Sequence, residues 1–127
     1  MINYKDRIFY ILCRHSCGIM DGWIPLPSTA IHTQIPSTTL YAVRKYLKAL
    51  KQEGLIDSDL YVEQGDEHPV LIRGYVVTEK GRKTDDYRLA HECERRICKE
   101  CFDIDIGDVE THWNNLESNI EVHLNDL

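Results

Sequence analysis

No stretch of the sequence stays apolar for the roughly 20 residues that a helix needs to cross a bilayer. The first seven residues, Met-Ile-Asn-Tyr-Lys-Asp-Arg, carry charges where a secretory signal has its apolar segment. Five cysteines are an odd number, which does not fit a framework of disulfides and favours a reducing compartment. We therefore expect a small cytoplasmic protein that makes no membrane contact.

The residue patterns of common catalytic sites are also missing. The sequence contains no Gly-x-Ser-x-Gly turn, no glycine-rich phosphate loop and no His-Glu-x-x-His motif. Its six histidines are spread over different predicted elements without the spacing of metal ligands. We expect neither an enzyme nor a cofactor.

Basic residues are absent from the end of the chain. The net charge is −6, but residues 1–56 carry 7 Lys and Arg against 3 Asp and Glu. Residues 103–127 carry 7 Asp and Glu and no Lys or Arg. Because cations bind phosphates, the front of the chain is the part expected to face nucleic acid, and the acidic tail would be repelled by it.

Helical spacing of apolar residues predicts a first helix over 4–16. Ser28 is predicted to cap a short helix that ends at Gln34, before a corner at Ile35-Pro36. Ser37 is predicted to cap a longer helix that ends at Glu53, because Gly54 supplies a stop.

The long helix is predicted to have one apolar and one basic face. Its apolar stripe consists of Leu40, Val43, Leu47 and Leu50. Its opposite face carries Thr38, Tyr41, Arg44, Lys45 and Lys48. Two helices joined by a short corner, with the second basic on its exposed face, are typical of a helix-turn-helix.

A β-hairpin is predicted directly behind the long helix. Leu60-Tyr61-Val62 and Val70-Leu71-Ile72 flank a loop of about six residues, 64–69, and Tyr75-Val76-Val77 continues the second strand. The order of helix, short helix, long helix and hairpin predicts an α+β fold, a winged helix-turn-helix with a C-terminal helical extension.

The run Gly-Trp-Ile-Pro-Leu-Pro at 22–27, followed by 40–56, resembles small winged helix-turn-helix proteins of bacterial phages and mobile elements. Residues 75–82 resemble the close of the wing in MarR- and PadR-like regulators. The resemblance covers roughly residues 4–84, so we divide the chain into a winged helix-turn-helix domain, 1–84, and an extension, 85–127. It implies a small transcriptional regulator.

The recognition helix is the predicted binding site for double-stranded DNA. Thr38 and Tyr41 would reach base edges or phosphates, and the basic residues would meet phosphates, or a guanine edge in the case of Arg44. The full predicted set is Ser37, Thr38, Thr39, Tyr41, Arg44, Lys45 and Lys48, with Arg73 of the wing auxiliary.

The predicted wing departs from the pattern of a minor-groove reader. Its tip contains Glu63, Asp66 and Glu67, whereas narrow grooves attract cations. The alternative function is therefore a protein-binding winged helix that inhibits a host defence complex, as anti-CRISPR proteins do. The acidic wing and tail would then occupy a basic groove of a host protein or ribonucleoprotein.

Cys98-Lys99-Glu100-Cys101 is a Cys-x-x-Cys pair, which raises the question of a zinc site. The sequence from 85 to 101 is predicted to form one helix, on which Cys93 and Cys98 would lie about 140° apart. No second Cys-x-x-Cys completes the ligand set. We instead expect buried thiols, with Cys93 and Cys101 in an apolar stripe with Leu89, Ala90 and Ile97. Cys13 and Cys17 follow the same i, i+4 spacing on the first helix.

The tail contains a heptad-like stripe of apolar residues: Val109, Trp113, Leu116, Ile120 and Leu124. It would pack either against the body of its own domain or against a second copy of the chain. We favour a homodimer, because a two-fold dimer matches a two-fold operator.

Overall fold

The computed structural model describes residues 3–18, 22 and 24–114. It contains a two-stranded antiparallel sheet and five helices, and residues 109–114 are also helical. The elements are α1 (Tyr4–Ser16), α2 (Ser28–Gln34), α3 (Leu40–Gln52), β1 (Ile56–Gln64), β2 (Pro69–Val77), α4 (Glu79–Arg82) and α5 (Asp85–Phe102). The fold is therefore α+β, in an order compatible with a winged helix.

Helix α1 has the bounds that its apolar spacing predicted. It begins after Asn3, whose side chain accepts a hydrogen bond from the backbone N–H of Asp6. Ile8, Phe9 and Leu12 are buried on its inner face. This helix packs against both α3 and α5, so it lies at the centre of the domain.

The α2–α3 corner has the predicted position but different capping residues. Ser28 is the first residue of α2, and its predecessor Pro27 offers no side-chain cap. The cap of α3 is Thr39, whose hydroxyl accepts from the N–H of Ala42 at 3.1 Å. The predicted roles of Ser28 and Ser37 as caps are thus wrong. Gly54 ends α3 as predicted, with a φ of 79° that an L side chain rarely adopts.

The hairpin is longer than predicted, since β1 and β2 pair over nine residues each and leave a loop of only four, 65–68. The extended segment before α2 adds a short bridge to β2, because Leu26 and Tyr75 exchange backbone hydrogen bonds at 2.9 and 3.0 Å. A Cβ at Gly74 would lie 2.5 Å from the Cβ of Pro25, so this close approach requires glycine. The bridge anchors the base of the hairpin to the domain.

Helix α5 buries a different face from the one predicted. Its buried residues are Tyr87, Ala90, His91 and Cys98. Of the expected stripe only Ala90 is buried in the core, whereas Leu89, Ile97 and Cys101 are exposed and Cys93 is half-buried. The reason is that α5 docks on α1 through polar contacts: Tyr87 shares a hydrogen bond with Ser16, and Arg14 pairs with Glu94 at 3.1 Å.

A single core joins the helices to the base of the hairpin. Its members are buried apolar residues of α1, α2, α3, both strands and α5. Tyr87 and Ala90 of α5 belong to this core. Among the residues described, no helix is both long and apolar enough to span a membrane.

Candidate nucleic-acid interface

The outer face of α3 presents four of the predicted contact residues to solvent: Tyr41, Arg44, Lys45 and Lys48. Tyr41 is 81% exposed, which is unusual for a large aromatic side chain. On the inner face Val43, Leu47 and Leu50 are buried. The amphipathic pattern of α3 is therefore confirmed, and it fixes which side chains face outwards.

The cations on this face lack acidic partners. Within the described residues, none of Arg44, Lys45 and Lys48 lies in an ion pair. Elsewhere cations are mostly engaged, as in Lys5–Glu53 at 2.8 Å, Arg14–Glu94 at 3.1 Å, Arg95–Asp105 at 2.9 Å and Lys99–Asp103 at 2.7 Å. Arg7 and Arg96 are also exposed without an ion pair, but among the described elements only α3 carries three such cations.

Two further cations converge where α3 meets the hairpin. Lys51 Nζ donates to Ser58 Oγ at 2.8 Å, and Arg73 Nη1 donates to the same oxygen at 3.2 Å. Asp57 lies 3.9 Å from Lys51 and offsets part of its charge. Lys51 was not among the predicted site residues, although its position seven residues after Arg44 places it near the same face of a helix.

An open cleft of about 450 Å³ separates α3 from β2. Arg44 and Arg73 both line it, together with Ser28, Thr29 and Tyr75 among others. Arg44 Nε also donates to Ser28 Oγ at 3.4 Å, a long contact that leaves the guanidinium available. The cleft therefore brings Arg73 of β2 close to Arg44 of α3.

The three hydroxyl residues of the predicted site lie in the corner before α3. Ser37 Oγ is 3.0 Å from the hydroxyl of Tyr4. Thr38 is half-buried, and its carbonyl accepts from His32 Nε2 at 2.8 Å. Thr39 uses its hydroxyl as the helix cap. These side chains position α3, and the structure does not place them in the row of Tyr41, Arg44 and Lys48.

The tip of the hairpin carries the acids that the sequence indicated. Glu63, Asp66 and Glu67 are exposed and form no ion pair within the described residues. Below the tip, Leu60, Val62 and Leu71 are exposed on one side of the sheet, where Val62 pairs with Leu71. Arg73 thus lies at the middle of the hairpin, paired with Leu60, whereas exposed acids lie both towards the base, at Asp57 and Asp59, and at the tip.

The first two members of the tail stripe, Val109 and Trp113, pack against the domain's own core. The Arg82 guanidinium lies 4.1 Å from the centre of the Trp113 ring. Leu116, Ile120 and Leu124 lie outside the described residues. Intramolecular packing thus holds for the start of the stripe, and the homodimer stays a prediction that sedimentation can check.

The cysteines of α1 behave as buried core residues, as predicted. Burial raises the pKa of Cys13, and it raises the pKa of Cys17 to about 12, so both thiols stay protonated at neutral pH. On α5, Cys98 is buried and its thiol lies 3.6 Å from Glu94 Oε1. The part of the chain that the structure describes contains no group of three or more side chains suited to hold a metal.

No family model matches the chain, and no curated protein or solved structure is significantly similar to it.

Proposed function

We propose that this protein is a winged helix-turn-helix that binds double-stranded DNA in a sequence-specific way, as a small transcriptional regulator. The observation that carries the proposal is the row of exposed, unpaired cations on α3. Binding of phosphates releases condensed counterions, so cations without acidic partners contribute most to affinity. In this assignment α3 is the recognition helix and the hairpin is the wing.

The dimensions of α3 support its role. Its 13 residues make a rod of roughly 20 Å, which fits along a major groove about 12 Å wide. Arg44 has the geometry for a bidentate contact with a guanine edge, while Lys45 and Lys48 act as point charges on phosphates. Tyr41 adds an exposed ring near the N-terminal end of the helix. Lys51 and Arg73 extend the positive surface to the wing.

The test compares two double variants that remove the same charge from different helices. Arg44→Ala with Lys48→Ala takes two unpaired cations from α3, and Arg88→Ala with Lys99→Ala takes two paired cations from α5. Fluorescence anisotropy on labelled duplex DNA measures affinity at several salt concentrations. We expect the α3 variant to bind at least about tenfold more weakly. The magnitude of its slope, the change of log K with log salt concentration, should be smaller by about 2.

The α5 variant is the matched control, and its affinity should stay within about twofold of the wild type. Equal losses in the two variants would mean that only net charge matters, and would contradict the assignment of α3. An α3 variant with unchanged affinity and salt slope would contradict it as well.

A second candidate function is supported by the end of the wing. Exposed Leu60, Val62 and Leu71 below the acidic tip form a surface of the kind that binds a basic, partly apolar protein. In this second function the present chain would inhibit a host defence complex that contains nucleic acid. The tail acids are poor probes of this idea, because Asp103 and Asp105 pair with Lys99 and Arg95.

The wing-tip acids are better probes because they form no ion pairs within the described chain. Glu63→Gln, Asp66→Asn and Glu67→Gln together should abolish capture of such a complex from host lysate, while the α3 variant retains it. Capture that depends on α3, or that survives loss of the three acids, would contradict this second function.

A further inference from the structure

Two histidines are buried side by side where the segment after α5 returns to the domain. His91 of α5 is 3% exposed and His112 of the returning segment is 5% exposed. Their ring centroids are 5.6 Å apart, with the rings tilted by 52°. The returning segment begins at Asp108, whose carboxylate accepts from the N–H of Thr111.

The hydrogen bonds around this pair suit neutral rings. His112 Nε2 lies 2.9 Å from the carbonyl oxygen of Cys17, and since a carbonyl only accepts, this nitrogen carries the proton and donates. His91 Nε2 is buried and has no hydrogen-bond partner in the described part of the chain. A proton gained at His91 Nε2 would have no acceptor there, and two imidazolium rings at this distance would repel each other.

We propose that the His91–His112 pair is a pH-sensitive latch, in which protonation releases residues 108–114 from α1 and α5. The latch holds this segment through the His112–Cys17 hydrogen bond and the packing of Val109 and Trp113 on the core. Buried charge is costly without a partner, and undocking returns both rings to water.

Some groups around the pair lower the pKa of His91, and others raise it. Burial lowers the pKa of His91, and the neighbouring His112 and Arg95 lower it further, whereas Asp108 and Glu92 raise it. The net direction is down, because burial of the ring is the largest of these effects. From the other elements, the Cys17 carbonyl at the end of α1 faces His112, and Arg82 of α4 lies over the Trp113 ring.

The sign of the pH dependence follows from this shift. His91 has a lowered pKa when the segment is docked and an ordinary value, about 6.5, when it is free. The undocked state therefore binds more protons, so docking is strongest above about pH 6.5 and weakens as the pH falls below it. The docking equilibrium changes by up to tenfold per pH unit for each proton taken up.

Hydrogen exchange of the amides of residues 109–114 in the full chain tests the latch. Protection, corrected for the intrinsic exchange rate at each pH, should fall between pH 7.5 and 5.5, by up to about tenfold for one proton taken up. His91→Gln removes the imidazole of His91 and should flatten this dependence. His68→Gln, in the exposed loop of the hairpin, is the matched control and should keep the wild-type profile. Equal protection of the wild type at both pH values would overturn the proposal, as would an unchanged dependence in His91→Gln.

A second measurement covers the case in which His91→Gln fails to dock at any pH. The imidazole resonances of the wild-type protein report the titration of His91 directly. An apparent pKa below about 6.5 that coincides with loss of protection at residues 109–114 supports the latch. A value at or above 6.5 contradicts it.

Discussion

Helices α3 and α5 each carry four Lys and Arg residues, but three of those on α5 are matched by acids in the described chain, whereas on α3 only Lys51 is, at 3.9 Å from Asp57. Arg88 pairs with Asp85, Arg95 with Asp105 and Lys99 with Asp103. On α3, Arg44, Lys45 and Lys48 have no such partners in the described chain. A protein with a net charge of −6 can therefore still present a positive surface. The distribution of ion pairs locates that surface where the net charge does not.

The buried faces of these two helices differ as well. Helix α3 buries aliphatic side chains in a simple apolar stripe. Helix α5 buries a tyrosine and a histidine, and it contacts α1 through hydrogen bonds and the Arg14–Glu94 pair. Hydrophobic spacing alone thus identifies the inner face of α3 and misidentifies that of α5.

The largest expected effect comes from truncating one leucine in the apolar stripe of α3 and one in the predicted apolar stripe of α5. Leu47→Ala should cost about 2–5 kcal/mol of unfolding free energy, because Leu47 is 0% exposed and its loss leaves a cavity. Leu89→Ala should stay within about 0.5 kcal/mol, because Leu89 is 54% exposed. Urea denaturation measures both. A large cost at Leu89 would mean that the apolar stripe of α5 is covered after all.

The next largest effect is the difference in stability between variants of Thr39, the observed cap of α3, and Ser37, the predicted cap. Thr39→Ala should cost about 1 kcal/mol, because its hydroxyl accepts the N–H of Ala42. Ser37→Ala should cost less, because it removes only a hydrogen bond with the exposed Tyr4 hydroxyl. Thermal or urea unfolding of the two variants checks the order. The reverse order would restore Ser37 as the cap.

The smallest expected effect concerns the charge of the hairpin tip. Glu63→Gln with Glu67→Gln should raise affinity for duplex DNA by about two- to threefold, because two exposed charges of the wrong sign are removed at a distance. The change should shrink at high salt. Weaker DNA binding in this variant would mean that the tip contacts DNA or supports a contact that does.

The sequence predicts the front of the fold well because its signals there are local. Proline at 25 and 27 forces the extended segment, the apolar spacing defines α1 and α3, and Gly54 marks the end of α3. The capping residue was misplaced by two positions, since Ser, Thr and Thr follow one another at 37–39 and spacing does not choose between them. The exposure of Arg44, Lys45 and Lys48 on α3 agrees with the predicted pattern, whereas Ser37, Thr38 and Thr39 lie in the corner before the helix and Lys51 was not predicted.

The residues of α5 alone do not predict which of its faces is buried. Leu89, Cys93, Ile97 and Cys101 repeat at four-residue spacing and outweigh Tyr87 and His91 in apolar character. The choice of face depends on partners far away in sequence, such as Ser16 and Cys17 of the first helix and the returning segment with His112. These are tertiary contacts, and the spacing of apolar residues within one helix does not predict them.

The central claim is that unpaired cations on α3 and on the wing bind the phosphates of DNA. Anisotropy of the wild-type protein on mixed-sequence duplex DNA, between about 50 and 200 mM salt, tests it most directly. Four to five phosphate contacts predict that the logarithm of the binding constant falls with the logarithm of salt concentration at a slope of about −3 to −5. Absence of binding at about 50 mM salt, or a slope near zero, would contradict the account.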